Sequence, residues 1–185
     1  MRAGWALIAA AALLLFLPAQ ARAEWRQATT DHFIIYSEDS PENLEAFATK
    51  LERFDRALRV LLDLPDPKLS PGNRLTVFVV SNLSQVRKLY GKGKARASVA
   101  GFYMPRATGS FAITPRSTGP GGGEYEINEQ IILLHEYAHH FMLGNFVGAF
   151  PAWLVEGYAE FNSTATFEKD GSVGIGLPAH HRPTA

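Results

Sequence analysis

An α+β fold is the class the sequence predicts, and three observations predict it. Strand-like and helix-like runs alternate in the first half of the chain. Two short strand-like runs then sit together just before a glycine-rich connector. The remaining runs are helical, so the helices gather late, as in an α+β pattern. No internal repeat is present.

Taken in order, residues 32–37 (HFIIYS) form the first strand-like run, rich in aromatic and β-branched side chains. Ser40-Pro41-Glu42 then has the makings of a helix start: a capping side chain, proline at the first position and an acid in the first turn. Leu44, Phe47, Leu51, Phe54, Leu58 and Leu61 follow at spacings of three and four, one apolar face of an amphipathic helix. Lys50, Glu52, Arg53, Asp55, Arg56 and Arg59 fill the other positions and are expected to form a solvated face. Pro65, Pro67, Pro71 and Gly72 mark a loop. Residues 74–80 (RLTVFVV) predict a buried strand, and Ser81-Asn82 caps a short helix reaching about Tyr90. The basic, glycine-bearing segment 91–96 lacks the spacing of a phosphate-binding loop and is expected to be an exposed loop. Residues 99–104 and 110–114 predict two short strands joined by a hairpin-like turn over 105–109. The connector 116–123 (RSTGPGGG) leads into a long helix starting near Glu124. After a turn at 145–150, Pro151 opens a second helix that folds back against the first.

The N-terminus reads separately. Met1-Arg2 carries positive charge, residues 5–17 are uninterruptedly apolar, Pro18 breaks the run, and Ala21-Arg22-Ala23 supplies small residues at the two positions of a cleavage site. This is the layout of a secretory signal peptide over residues 1–23, with cleavage expected after Ala23. The apolar run is short for a bilayer span, so no stable membrane span is expected after cleavage, and an uncleaved N-terminal anchor is the alternative. Residues 24–185 are then one domain, of which 177–185 form a tail. The expected location is the periplasm or the exterior of the cell. With 18 basic and 18 acidic side chains the chain is charge-balanced, which gives no argument for nucleic acid or an anionic membrane as partner. There is no cysteine, which excludes disulfides, thiolate metal ligands and a cysteine nucleophile.

The chemistry concentrates in Ile131-Ile132-Leu133-Leu134-His135-Glu136-Tyr137-Ala138-His139-His140. Within it, His135-Glu136-x-x-His139 places two imidazoles one helical turn apart on one face, where they can share a zinc ion. Glu136 lies about 100° further round, within reach of water at the metal. His140, about 100° beyond His139, is not expected to be a ligand. A catalytic zinc usually has three protein ligands and an open position. The stretch Trp153-Leu154-Val155-Glu156-Gly157-Tyr158-Ala159-Glu160 supplies a third candidate in Glu156, with Glu160 one turn on and facing the same way.

The pair of stretches resembles the gluzincin zinc metallopeptidases, most closely the exported peptidase MA-like group. The resemblance runs from residue 131 to 161. It implies a zincin-like fold, in which a small twisted mixed sheet packs on the H-E-x-x-H helix and a following glutamate-ligand helix. It implies that His135, His139 and Glu156 bind Zn2+, that Glu136 is the general base, and that Glu160 hydrogen-bonds the first histidine. It also implies an edge strand along the cleft, for which 110–114 is the candidate, able to pair with an extended peptide by strand addition. Members of this group usually add a tyrosine or histidine from well downstream to support the oxyanion; here only His180 and His181 lie downstream, and Tyr103 is a candidate from the sheet.

The expected function is an exported zinc-dependent peptidase acting on a peptide or protein substrate. The alternatives are a non-catalytic zinc- or peptide-binding module that keeps the same site, and a structural exported domain in which the motif is coincidental.

Overall fold

The computed structural model describes residues 24–116 and 128–178. The expected signal peptide, most of the glycine-rich connector and the tail histidines His180 and His181 lie outside the described residues.

The described chain is α+β. Its main sheet has five strands: β1 (Arg26–Thr29), β2 (Phe33–Ser37), β3 (Leu75–Val80), β4 (Phe102–Met104) and β5 (Phe111–Pro115). Their spatial order is β1-β2-β3-β5-β4. β2, β3 and β5 run parallel, while β1 and β4 are antiparallel to their neighbours, so the sheet is mixed. Helix α1 (Pro41–Leu61) is the crossover between the parallel strands β2 and β3. Ser40 caps it as its sequence suggests, accepting a hydrogen bond from the Asn43 amide. Helix α2 (Leu83–Tyr90) is capped by the Asn82 side chain. Helices α3 (Glu129–Asn145) and α4 (Ala152–Ser163) pack on one another, and α3 also packs on β4 and β5. A second, two-stranded sheet pairs β6 (Thr166–Phe167) with β7 (Val173–Gly174).

Period-two burial explains the layers. Phe33 and Ile35 of β2, Leu75, Val77 and Val79 of β3 and Ala112 of β5 face one way. They meet Leu44, Leu51, Phe54 and Leu58 of α1 and Leu133, Leu134, Tyr137 and Phe141 of α3. Val80, Val86 and Ile113 form a smaller core, flanked by Phe78, Phe102 and Phe111. Among the described residues no helix is long and apolar enough to cross a membrane.

Three sequence expectations are corrected. The strand at the sheet's edge is β4, not residues 110–114: the hairpin folds so that β5 takes the parallel place beside β3 and β4 is left outside. Within the described residues the long helix runs from Glu129, capped by the Asn128 side chain, which accepts from the Ile131 amide; the expected start near Glu124 lies outside the described residues. Leu61, placed on the apolar face of α1, is mostly exposed, since the helix has run past the core by its last turn. The charged positions of α1 are not a uniform solvated face. Asp55 is 1% exposed and Arg59 is buried beside it, while Arg53 donates to the carbonyls of Glu168 and Ser172 and so fastens the small sheet to α1.

Candidate metal centre

The aliphatic run before the motif does what its composition suggests: Ile132, Leu133 and Leu134 are buried, and they seat α3 against the sheet. That fixes which face of α3 turns towards α4. His135 and His139 leave α3 on this face, with their Nε2 atoms 3.1 Å apart and their rings nearly perpendicular.

Helix α4 brings the carboxylate. Glu156 Oε2 lies 3.4 Å from His135 Nε2, and Glu156 Oε1 lies 3.8 Å from His139 Nε2. Glu160 Oε2 is 3.8 Å from His135 Nδ1, the far side of that ring. The earlier histidine faces the later glutamate as well, so α4 runs back along α3 as the turn between them predicts. Glu156 is 65% exposed, so its position reflects approach to the imidazoles rather than burial in an apolar helix face. Trp153, which helped to predict α4, also lies largely in solvent.

The three donors fit a zinc ion. Two ligands at about 2.0–2.1 Å from a tetrahedral zinc stand about 3.3 Å apart. The two Nε2 atoms are 3.1 Å apart, and the Glu156 carboxylate offers Oε2 at 3.4 Å from His135 and Oε1 at 3.8 Å from His139, distances that bracket that value. Two imidazole nitrogens aimed at one another also need a proton or a cation between their lone pairs. Burial, with His135 adding to it, holds the His139 imidazole below its ordinary range, so near neutral pH it is in the uncharged form that binds metal.

Glu136 is not one of these donors. It is partly buried, and burial, helped by the charge of Glu156, pushes its carboxyl up to about 7, while the backbone N–H of Tyr103 on β4 opposes the rise. The motif's glutamate is therefore hooked to the edge strand. The Tyr103 hydroxyl points elsewhere: it lies 3.2 Å from Ser110 Oγ and 3.2 Å from His140 Nδ1. It is the backbone of Tyr103, not the hydroxyl, that meets the motif. His140 is correspondingly not among the three converging donors. It is packed against Tyr103 and Tyr137, and burial pulls its imidazole down to about 4.

One contributor was missed from sequence. Gly101, just before β4, lets Ile132 and Glu136 approach the strand; a Cβ there would come 2.5 Å from Ile132 Cγ2, 3.1 Å from the Ile113 carbonyl oxygen and 3.3 Å from Glu136 Cγ. A glycine opening an edge strand signals close approach, but only once the strand's neighbour is known.

Comparisons with protein-family models, with curated proteins and with solved structures found no match for this chain.

Proposed function

We propose that the protein is an exported, zinc-dependent peptidase of zincin-like fold. The observation that carries this reading is the convergence of His135, His139 and Glu156 beside a partly buried Glu136 that touches the edge strand. His135, His139 and Glu156 would hold the ion, and Glu160, on the far ring nitrogen of His135, would orient that imidazole. The chemistry zinc supplies in a two-histidine, one-glutamate set is Lewis acidity towards a carbonyl and activation of water.

The chain's own residues supply the rest. β4 is an outer strand, so an extended peptide can add to it through main-chain hydrogen bonds. That would run the substrate past Glu136. Glu136, next to His135 and against the edge strand, stands where a carboxylate could take a proton from water and give it to a leaving amine. The proton would be held at a Glu136 carboxylate oxygen between the two events. Export to the periplasm or the cell exterior is part of the proposal and rests on the sequence of residues 1–23.

The second reading is a zinc- and peptide-binding module without turnover, and the engagement of the Tyr103 hydroxyl by Ser110 and His140 favours it. Cleavage of a quenched-fluorescence peptide library, with and without chelator, separates the two. Chelator-sensitive cleavage supports the peptidase; peptide binding with no cleavage in zinc-loaded protein supports the module.

A further inference from the structure

We propose a second divalent-metal site, formed by His32, Asp55 and Asp66. His32 precedes β2, Asp55 is on α1, and Asp66 is in the loop that follows α1. His32 Nε2 lies 3.0 Å from Asp66 Oδ1 and 3.6 Å from Asp55 Oδ2. All three donors fall within 4.8 Å of one another. The two His32 distances bracket the separation of about 3.3 Å between two ligands of a tetrahedral zinc.

The independent sign of a ligand is the state of His32 itself. Its side chain is 6% exposed, and its buried Nε2 faces the Asp66 and Asp55 carboxylates without a well-aligned hydrogen bond to either among the described residues. The other ring nitrogen, Nδ1, sits 2.8 Å from Glu52 Oε2, and Glu52 Oε1 accepts the His32 backbone N–H. A carboxylate on the far nitrogen is the arrangement that orients a metal-binding histidine: it draws the proton to Nδ1 and leaves the Nε2 lone pair to the metal. Here that lone pair is aimed at two carboxylates, an arrangement that a cation between them makes favourable.

Charge points the same way. Glu52, Asp55 and Asp66 bring three negative charges, and Arg59, whose Nε donates to Asp55 Oδ2 at 2.7 Å, returns one. A divalent ion brings the group to neutrality. Arg59 does not block it, because a carboxylate oxygen has two lone pairs and Arg59 uses one. Asp66 is 70% exposed, which gives an ion a route to an otherwise buried site. One imidazole and two carboxylates suit zinc or another first-row divalent ion. Tyr137 Oη donates to Asp55 Oδ1, so an ion here would tie β2, α1 and the loop to the back of the motif helix. Its role is structural, and it does not depend on the peptidase reading.

The test is zinc stoichiometry of the purified protein, stripped of metal and titrated with zinc alone. Two equivalents are expected for the wild type, one for His139→Ala, one for Asp66→Ala and none for the double variant. Asp66 is on the surface, so its replacement leaves the core intact. Glu52→Gln is expected to weaken the second equivalent about 10–100-fold while the protein stays folded by circular dichroism. Retention of both equivalents by Asp66→Ala, or loss of all zinc in His139→Ala, would overturn the proposal and leave a proton on His32 Nε2 as the group's cation. Binding lost in Asp66→Ala but unchanged in His139→Ala would instead support this site and remove the basis of the peptidase reading.

Discussion

Two histidine–carboxylate clusters meet on opposite sides of α3, and they are assembled differently. On one side His135 and His139 come from one helix and Glu156 from the next, and the cluster opens to solvent at Glu156. On the other, Tyr137 reaches Asp55 within a group drawn from β2's start, α1 and a loop, and Asp55 is all but inaccessible. The first arrangement leaves a face open to solvent. The second holds α3 in place from behind. A helix that must present two imidazoles at fixed spacing gains from a rigid attachment on its other face.

The two clusters should therefore break differently. The largest effect is expected on the buried side: Asp55→Ala removes the acceptor of Arg59 and Tyr137 and leaves the guanidinium uncompensated, at a cost of about 3–5 kcal/mol in denaturant unfolding. A cost near that of an ordinary surface substitution would show that the buried cluster does not anchor α3.

Next is pH. In metal-free protein the folded Glu136 carboxyl titrates at about 7, against an ordinary value of 4.5. The folded state then holds its proton longer than the unfolded chain. The stability this group contributes is fully present below pH 4.5 and is lost as pH rises to 7, a change on the order of 3 kcal/mol. His140 acts oppositely. Its folded value of about 4 lies below 6.5, so the unfolded chain binds the proton first and stability falls as pH drops from 6.5 to 4. The two slopes offset in the wild type. Glu136→Gln and His140→Phe should expose them with opposite signs in thermal melts across that range; slopes of the same sign would contradict the burial assigned to one of them.

Gly101→Ala is expected to cost about 1–3 kcal/mol by overpacking, because the Ile113 carbonyl cannot move aside as a side chain can. The smallest effect is at Glu160. Glu160→Gln should weaken zinc binding at His135 about 10–100-fold with little change in stability, read by competition with a chelating dye.

How much of this was legible in the sequence follows from the same contrast. The Ser40 cap, the apolar stripe of α1, the β3 run, the hairpin and the spacing of His135 and His139 are local, so they could be read directly, whereas the approach of Glu156 depends on α4 folding back along α3. The order of strands in the sheet is not local: nothing in residues 110–114 says that β5 pairs with β3 and leaves β4 outside. The His32 cluster is also non-local. Asp55 and Arg59 have the spacing of an ordinary surface ion pair, and only the packing of β2 and α3 over them shows that they are buried. The short β6–β7 pair escaped for a similar reason, since two-residue strands have no period to detect and are held by Arg53 from another element.

The most direct test of the central claim pairs zinc content with peptide cleavage in Glu136→Gln. The variant is expected to keep the zinc bound by His135, His139 and Glu156 and to lose about 10²–10⁴-fold in cleavage rate. A variant that cleaves as fast as the wild type, or a wild-type protein that gains no zinc from His135 and His139, would contradict it.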